Sequence, residues 1–521
     1  MRPQKNAVRF LRERPGVSAA CFSFALSVLG WFMFSPFAPF GAYNDDAHYY
    51  LAASALVRFG RFVNLCIPNH PRQVAYAAGY PLLLAPLIKI FPDSTTPIVI
   101  LHFCAFAASA GLFAFIAARR LSFADALTAT LWWFLCILPM SIAGAFLSDL
   151  PFLTFALAPF AILEAAEVGA AASFAIVFFA LFAVLLRPLG ILLLPALAVQ
   201  VATRRSKPEM RRILGWTAVL VGAAVVCLLA SAGPLGAARA LMPGPLLRGL
   251  SLTGMDPGAS RAAYAAAIFR SNCVYYGGAL FNVLVLPARP ILTSASLLPA
   301  LWILRILWLP AFAAGCWTQL RRRDGLSIFG ILYALLILCW FLVDLRYLIP
   351  LRPPILLWTF IGFAEWRKRW KPARAVKLLF LAAALYLGAV DAWMQKDTPL
   401  QLDEAKYAWI KAHTEPEARI ADELDGALHL YTERFAYSYP WDAARTPQEV
   451  LDLLQTYGVE YYVVYPQLMI LQPSNAQIRE AWHQHQRAAV YSLLNKSSDF
   501  ELVYQSGYSQ LYRRRAAAAG G

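Results

Sequence analysis

Apolar runs long enough to cross a bilayer recur along most of this chain, and they constrain its folding more than anything else in it. Lipid offers no hydrogen bonds to exposed backbone, so such segments must be helices that satisfy their own amides. A water-soluble domain could not cover so much apolar surface, since 60% of the 521 residues are hydrophobic and only 15% are charged. The expected fold class is therefore mainly α, a polytopic transmembrane helix bundle. Lys and Arg number 46 against 30 Asp and Glu. They fall in short clusters between apolar runs, not in one stripe, which speaks for the positive-inside rule and against a nucleic-acid partner.

These clusters orient the chain. Arg2, Lys5, Arg9, Arg12 and Arg14 precede the first run, and no A-x-A-like site follows it, so an uncleaved first span with a cytoplasmic N-terminus is expected. The basic residues at 119–120, 204–212, 321–323 and 367–377 are read as cytoplasmic too. Spans then fit near 17–40, 97–118, 124–142, 150–166, 169–186, 189–202, 213–232, 295–319, 326–343, 348–365 and 378–394, about eleven crossings of the inner (plasma) membrane that leave the C-terminus outside. Segments 81–92 and 279–292 are apolar but short and proline-bounded, and are read as interfacial or re-entrant. This membrane domain, 1–394, carries two large outer loops near 41–96 and 233–294.

Beyond it the composition turns polar. Helical spacing from Leu402, a helix, glycine turn and β-rich run in "PQEVLDLLQTYGVEYYVVYP", and a hairpin about Ser506-Gly507 predict a small α/β extracytoplasmic domain over 395–515, with 516–521 as a disordered tail. The eight cysteines show no C-x-x-C and no zinc spacing. Cys66 and Cys273 fall in the two outer loops, where an oxidising compartment permits a disulfide. No phosphate-binding glycine loop and no G-x-S-x-G element is present, so a nucleotide-driven pump or serine hydrolase lacks its equipment.

Charged residues within such a chain are the candidates for chemistry. In "NDDAHYY", Asp45 and Asp46 stand where the first span emerges; in a helix Asp45, His48 and Tyr49 share one face. The plainer reading is a helix start, since Asn44 and Asp45 are good caps and acids suit the first turn. Asp149, in "FLSDLPF", returns to the same side, with Ser148-Asp149 readable as another cap. Arg187 and Arg346 lie at the outer ends of spans, where basic residues are normally sparse, and Arg305 lies within one; each either snorkels to headgroups or meets an anion. A carboxylate can take the proton of an attacking acceptor while arginines hold a departing phosphate. Outside a membrane, sugars are carried on polyprenyl phosphates, whose tails need a groove facing lipid.

The order "YNDDAHYYLAASALVRFGRF", "AGYPLLLAPL", "FLSDLPF", "RPLGILLLPAL", "DLRYLIPLRPP" resembles the C-type membrane glycosyltransferases (GT-C), especially bacterial relatives of protein O-mannosyltransferases and lipid A aminoarabinose transferases. The resemblance covers most of the membrane part, and the "GVEYYVV" strand is similar to their small outer domain. It implies Asp45 as the catalytic base, Asp46 where Glu is common, Asp149 as the second acidic position, and Arg346-Tyr347 as the R-Y-x-x-P element near the lipid phosphate. The expected reaction is an inverting transfer of a sugar from a polyprenyl monophosphate to a lipid A, glycolipid, polysaccharide or protein acceptor, in the cell envelope. Arg187 and Arg305 join Arg346 as phosphate-binding candidates; His48, Tyr49, Tyr80 and Lys89 are candidates for substrate contact. Some GT-C enzymes use a divalent ion, but no third clustered carboxylate is visible here, so a site without metal or other cofactor is expected. A lipid or solute transporter would place its ionisable groups near the bilayer midplane, and a non-catalytic assembly subunit would not need the carboxylates.

Overall fold

The computed structural model describes residues 15–34, 40–73, 75–135, 145–164, 168–222, 260–286, 298–340, 344–395, 402–440, 446–466 and 478–515. Helices α1 (Pro15–Phe34), α2 (Asp45–Phe59), α3 (Gly79–Ile90), α4 (Thr96–Arg120), α5 (Phe123–Leu135), α6 (Asp149–Leu163), α7 (Ala170–Leu186) and α8 (Leu193–Arg204) are followed, beyond a break, by α9 (Arg261–Ala279), α10 (Leu298–Arg321), α11 (Gly325–Leu338), α12 (Arg352–Arg369) and α13 (Ala373–Gln395). Residues 207–222 are helical as well. Among the described residues, four helices are long and apolar enough to cross a membrane, and seven further apolar helices have 10–17 residues. The expected interfacial segment at 81–92 is the short helix α3, with Pro86 inside it, while much of 279–292 and of the expected span 213–232 lies outside the described residues.

Helices pack in pairs: α1 on α4, α4 on α6, α6 on α7, and α10 on α12. The last pair crosses where Gly315 faces Trp358 and Gly362 faces Ala311, with no side chain to hold the backbones apart. Arg352, fully buried, donates to the carbonyls of Trp132 and Trp133 in α5. Arg120, at the far end of α4, meets Glu164 at 2.5 Å and Asp324 at 2.9 Å.

The polar C-terminal part is α14 (Glu404–His413), β1 (Arg419–Ala421), α15 (Asp425–Thr432), β2 (Phe435–Tyr437), α16 (Pro447–Thr456), β3 (Tyr461–Val464), α17 (Ile478–Lys496), β4 (Phe500–Gln505) and β5 (Gln510–Arg514). The strands form one sheet in the order β2-β1-β3-β5-β4, parallel across β2, β1 and β3 and antiparallel across β3, β5 and β4. Strand alternation sends Tyr462, Val464 and Tyr512 to one face, where they pack on Val450 and Leu454 of α16 and Val490 and Leu494 of α17. Ile420, Tyr461, Val463 and Leu511 point the other way and share a core with Ala47, Leu51 and Ala55 of α2 and with Leu65. The sheet thus sits directly on the helix that begins with the aspartate pair. Cys66 ties the intervening loop to the sheet edge by accepting the Ala436 amide at 2.8 Å.

Candidate functional site

The start of α2 differs from the cap expected there. An N-cap residue has extended backbone, whereas Asn44 has φ +59° and no side-chain bond to the helix. Its amide reaches the sheet domain instead, donating to the Glu423 carbonyl (3.1 Å) and Asp425 Oδ1 (2.9 Å) and accepting the Gly426 N–H (2.9 Å). Ser148 before α6 likewise makes no cap bond, because its own backbone is already helical.

The two aspartates have different surroundings. Asp46 is buried, accepting the Gly41 amide at 2.7 Å and the Ala47 amide at 2.9 Å. Burial, aided by the charge of Asp45, pushes its carboxyl up to about 7 despite those bonds. Asp45 takes a hydrogen bond from the Tyr76 hydroxyl (2.9 Å) and an ion pair from Arg346 Nη2 (2.6 Å). Burial alone would raise its carboxyl, but the Arg346 charge and these bonds hold it below the usual carboxylate range. Tyr76, raised well above its ordinary range by burial and by Asp45, stays a neutral donor.

The 3₁₀ turn Leu345–Leu351 opens at Asp344, whose side chain accepts the Arg346 amide (2.9 Å) while its other oxygen lies 2.8 Å from Arg346 Nε. Arg346 therefore bridges Asp45 and Asp344. Tyr347 also has Arg187, at the end of α7, as a ring neighbour: the Arg346 and Arg187 guanidinium carbons lie 5.8 and 5.3 Å from the Tyr347 centroid. Arg187 pairs with Asp149 Oδ1 at 2.5 Å, and Asp149 Oδ2 is a buried acceptor with no hydrogen-bond partner among the described residues. Tyr49 joins the halves, its hydroxyl 3.2 Å from Ser148 Oγ and its ring edge-on to Tyr76 at 5.1 Å and Tyr80 at 5.0 Å. Side-chain exposure separates the acids: 44% for Asp344 and 24% for Asp45 against 0% for Asp149, so a substrate can reach Asp45 and Asp344, but not Asp149, without rearrangement.

The structure thus brings Asp45, Asp149, Arg187, Arg346, Tyr347 and Tyr49 together, with Asp46 at the back of the same turn. The other candidates are placed differently. His48 keeps the face of Asp45 that helical spacing suggested, its ring stacked at 5.0 Å on the Tyr76 that bonds Asp45, but its Nε2 is taken by Asp425 Oδ1 of the sheet domain at 3.0 Å. Tyr80 is buried against His102 and the Phe146 carbonyl, and Lys89 is exposed in the last turn of α3. Arg305 donates to Asn282 (2.8 Å) and lies over Trp302 and Phe281, none of which belongs to this cluster. Cys66 and Cys273 are free thiols, Cys66 being enclosed beside His48, so the disulfide permitted by their loops is not formed. Three site residues escaped the sequence reading: Tyr76, Ser148 and the third carboxylate, Asp344. Only Asp344 had a visible signal, an acid two residues before Arg346.

No protein-family model and no curated protein sequence matches the chain. Its fold, however, is that of the GT-C glycosyltransferases. ArnT from Cupriavidus metallidurans, solved with undecaprenyl phosphate, superposes with a TM-score of 0.53 at 14% identity, over 96% of this chain and 98% of that one. The oligosaccharyltransferase AglB from Archaeoglobus fulgidus, solved with an inhibitory peptide and a dolichol-phosphate, gives 0.56 at 11% identity over 88% of this chain and 70% of its own. The mycobacterial arabinofuranosyltransferase AftD gives 0.51 at 13% identity, covering 96% of this chain and 42% of its own.

Proposed function

We propose that the chain is an inverting glycosyltransferase that moves a sugar from a polyprenyl monophosphate to a lipid, glycan or protein acceptor. The reading includes about eleven spans in the inner membrane, a cytoplasmic N-terminus, and the site and sheet domain on the outer face. One observation carries it: Asp45, a partly exposed carboxylate, is held by the same arginine that stands with Arg187 around Tyr347.

That arrangement couples binding to activation. While Arg346 neutralises Asp45, the carboxylate is a poor base. A donor phosphate competes for Arg346 and Arg187 through charge-assisted hydrogen bonds, and Asp45 is released as it does so. Asp45 then takes the acceptor hydroxyl proton; the acceptor oxygen bonds the anomeric carbon from the face opposite the phosphate; the carbon–oxygen bond to phosphate breaks and its electron pair stays on the phosphate. The arginines stabilise the charge that develops there. Asp149, fully buried and paired with Arg187, holds that guanidinium beside Tyr347 as the phosphate binds. In this scheme the two guanidinium groups bind the phosphate without a metal, although Asp344 adds the third carboxylate that the sequence reading did not see.

Membranes carrying the protein, supplied with radiolabelled polyprenyl phosphate sugars, should move label to an acceptor. Asp45→Asn should slow this by roughly 100- to 10,000-fold. Transfer at near wild-type rate by well-folded Asp45→Asn protein would exclude the scheme.

A further inference from the structure

A second cluster, separated from Asp45 by the Tyr76 ring, lies where α2 meets the sheet domain. His48, Cys66 and Asp425 each offer a ligand atom, the three atoms lie within 4.8 Å of one another, and all three residues are buried. They come from the first turn of α2, the loop after it, and the start of α15, so no local spacing announces them. We propose that these three side chains bind one zinc ion, which clamps α2 and its following loop to the sheet domain.

The donor set selects the metal. A thiolate, an imidazole nitrogen and a carboxylate oxygen suit borderline-soft Zn²⁺ and are a poor set for Mg²⁺ or Ca²⁺, which prefer oxygen. The second observation is the imidazole itself: His48 is 5% exposed and its ring lies against both other donors, with Nε2 3.0 Å from Asp425 Oδ1 and the Cys66 thiol beside it. Close approach is built in at Gly426, where a Cβ would run into the His48 ring and Asn44. Binding is an exchange: Zn²⁺ takes the place of the Cys66 thiol proton and of the proton shared by His48 and Asp425, and both protons leave to solvent. The site goes beyond the transferase reading and does not depend on it, since its ligands neither touch the proposed substrates nor include Asp45.

The test is metal analysis of the full chain in detergent, loaded with zinc chloride and then dialysed against zinc-free buffer. The wild type should retain about one zinc per chain, and Cys66→Ala less than a tenth of that, with Cys273→Ala as the wild-type-like control. Zinc absent from the loaded wild type, or retained in full by Cys66→Ala, overturns the proposal. Should Cys66→Ala fail to fold, zinc-edge X-ray absorption on the wild type decides: a sulfur neighbour near 2.3 Å supports the site, and a shell without sulfur overturns it.

Discussion

Asp45 can act as a base only when its ion pair with Arg346 is undone, and this gives its titration a definite sign. Its carboxyl lies below the usual range, so the charged form contributes stability at pH values above the unfolded pKa and loses it as pH falls through the folded one. The acid limb of kcat/KM attributable to Asp45 should therefore lie below the ordinary carboxylate range. In Arg346→Gln the burial of Asp45 is no longer opposed, and the acid limb of the residual activity should move to higher pH; an unmoved limb would show that Arg346 does not set this carboxylate. Arg187 poses a different problem. Asp149 is fully buried, so Arg187→Gln leaves a charge without its partner and should cost roughly 3–5 kcal/mol, with Asp149→Asn in the same chain recovering much of the loss in thermal unfolding. These four residues were legible in the sequence because a charge in an apolar chain stands out whatever the fold. Tyr76 was not, because tyrosine is unremarkable near membrane helices and reaches the site only through a contact between separate segments, and Ser148, beside Asp149, read only as a cap.

Helices were legible for the same reason, since hydropathy alone marks α4, α10, α12 and α13. What hydropathy does not carry is which helix touches which. The α10–α12 crossing depends on two glycines 47 positions apart, Gly315 and Gly362, and a methyl group on either would land on the partner's backbone carbonyl, Trp358 or Ala311. Gly362→Ala should therefore destabilise the bundle by at least about 1–3 kcal/mol, read as a lower midpoint in detergent, because the atom in the way is backbone and not a side chain that could swing aside. A midpoint equal to wild type would mean that the helices do not cross there. The strands were readable from alternation in "VEYYVV" and from the Ser506-Gly507 turn. That one face of the sheet would share its core with α2 was not, because Ala47, Leu51 and Ala55 read equally well as a face turned to lipid.

At the scale of the whole molecule, two groups of charge lie at opposite ends of the helices. His102, in the first part of α4, contacts Tyr80 beside the Asp45 cluster; Arg120, 18 residues further on, lies about 27 Å away and pairs with Glu164 and Asp324. A separation of that size approaches the thickness of a bilayer's hydrocarbon core. The sheet domain rests on α2, at the Asp45 end, and the basic residues 321–323 are at the Arg120 end. Topology and site are therefore one question: whichever face exposes the sheet also exposes the proposed chemistry. With the exposed Cys21, Cys104 and Cys339 replaced, a cysteine introduced as Tyr508→Cys in the β4–β5 turn should react with a membrane-impermeant maleimide in cells whose inner membrane is intact. One introduced as Arg322→Cys, in the exposed turn after α10, should react only once that membrane is opened. The reverse pattern would put Asp45 on the cytoplasmic side, where nucleotide sugars are at hand, and would remove the reason for a polyprenyl phosphate donor. Labelling of both from outside would mean that the helices between them do not cross as a bundle.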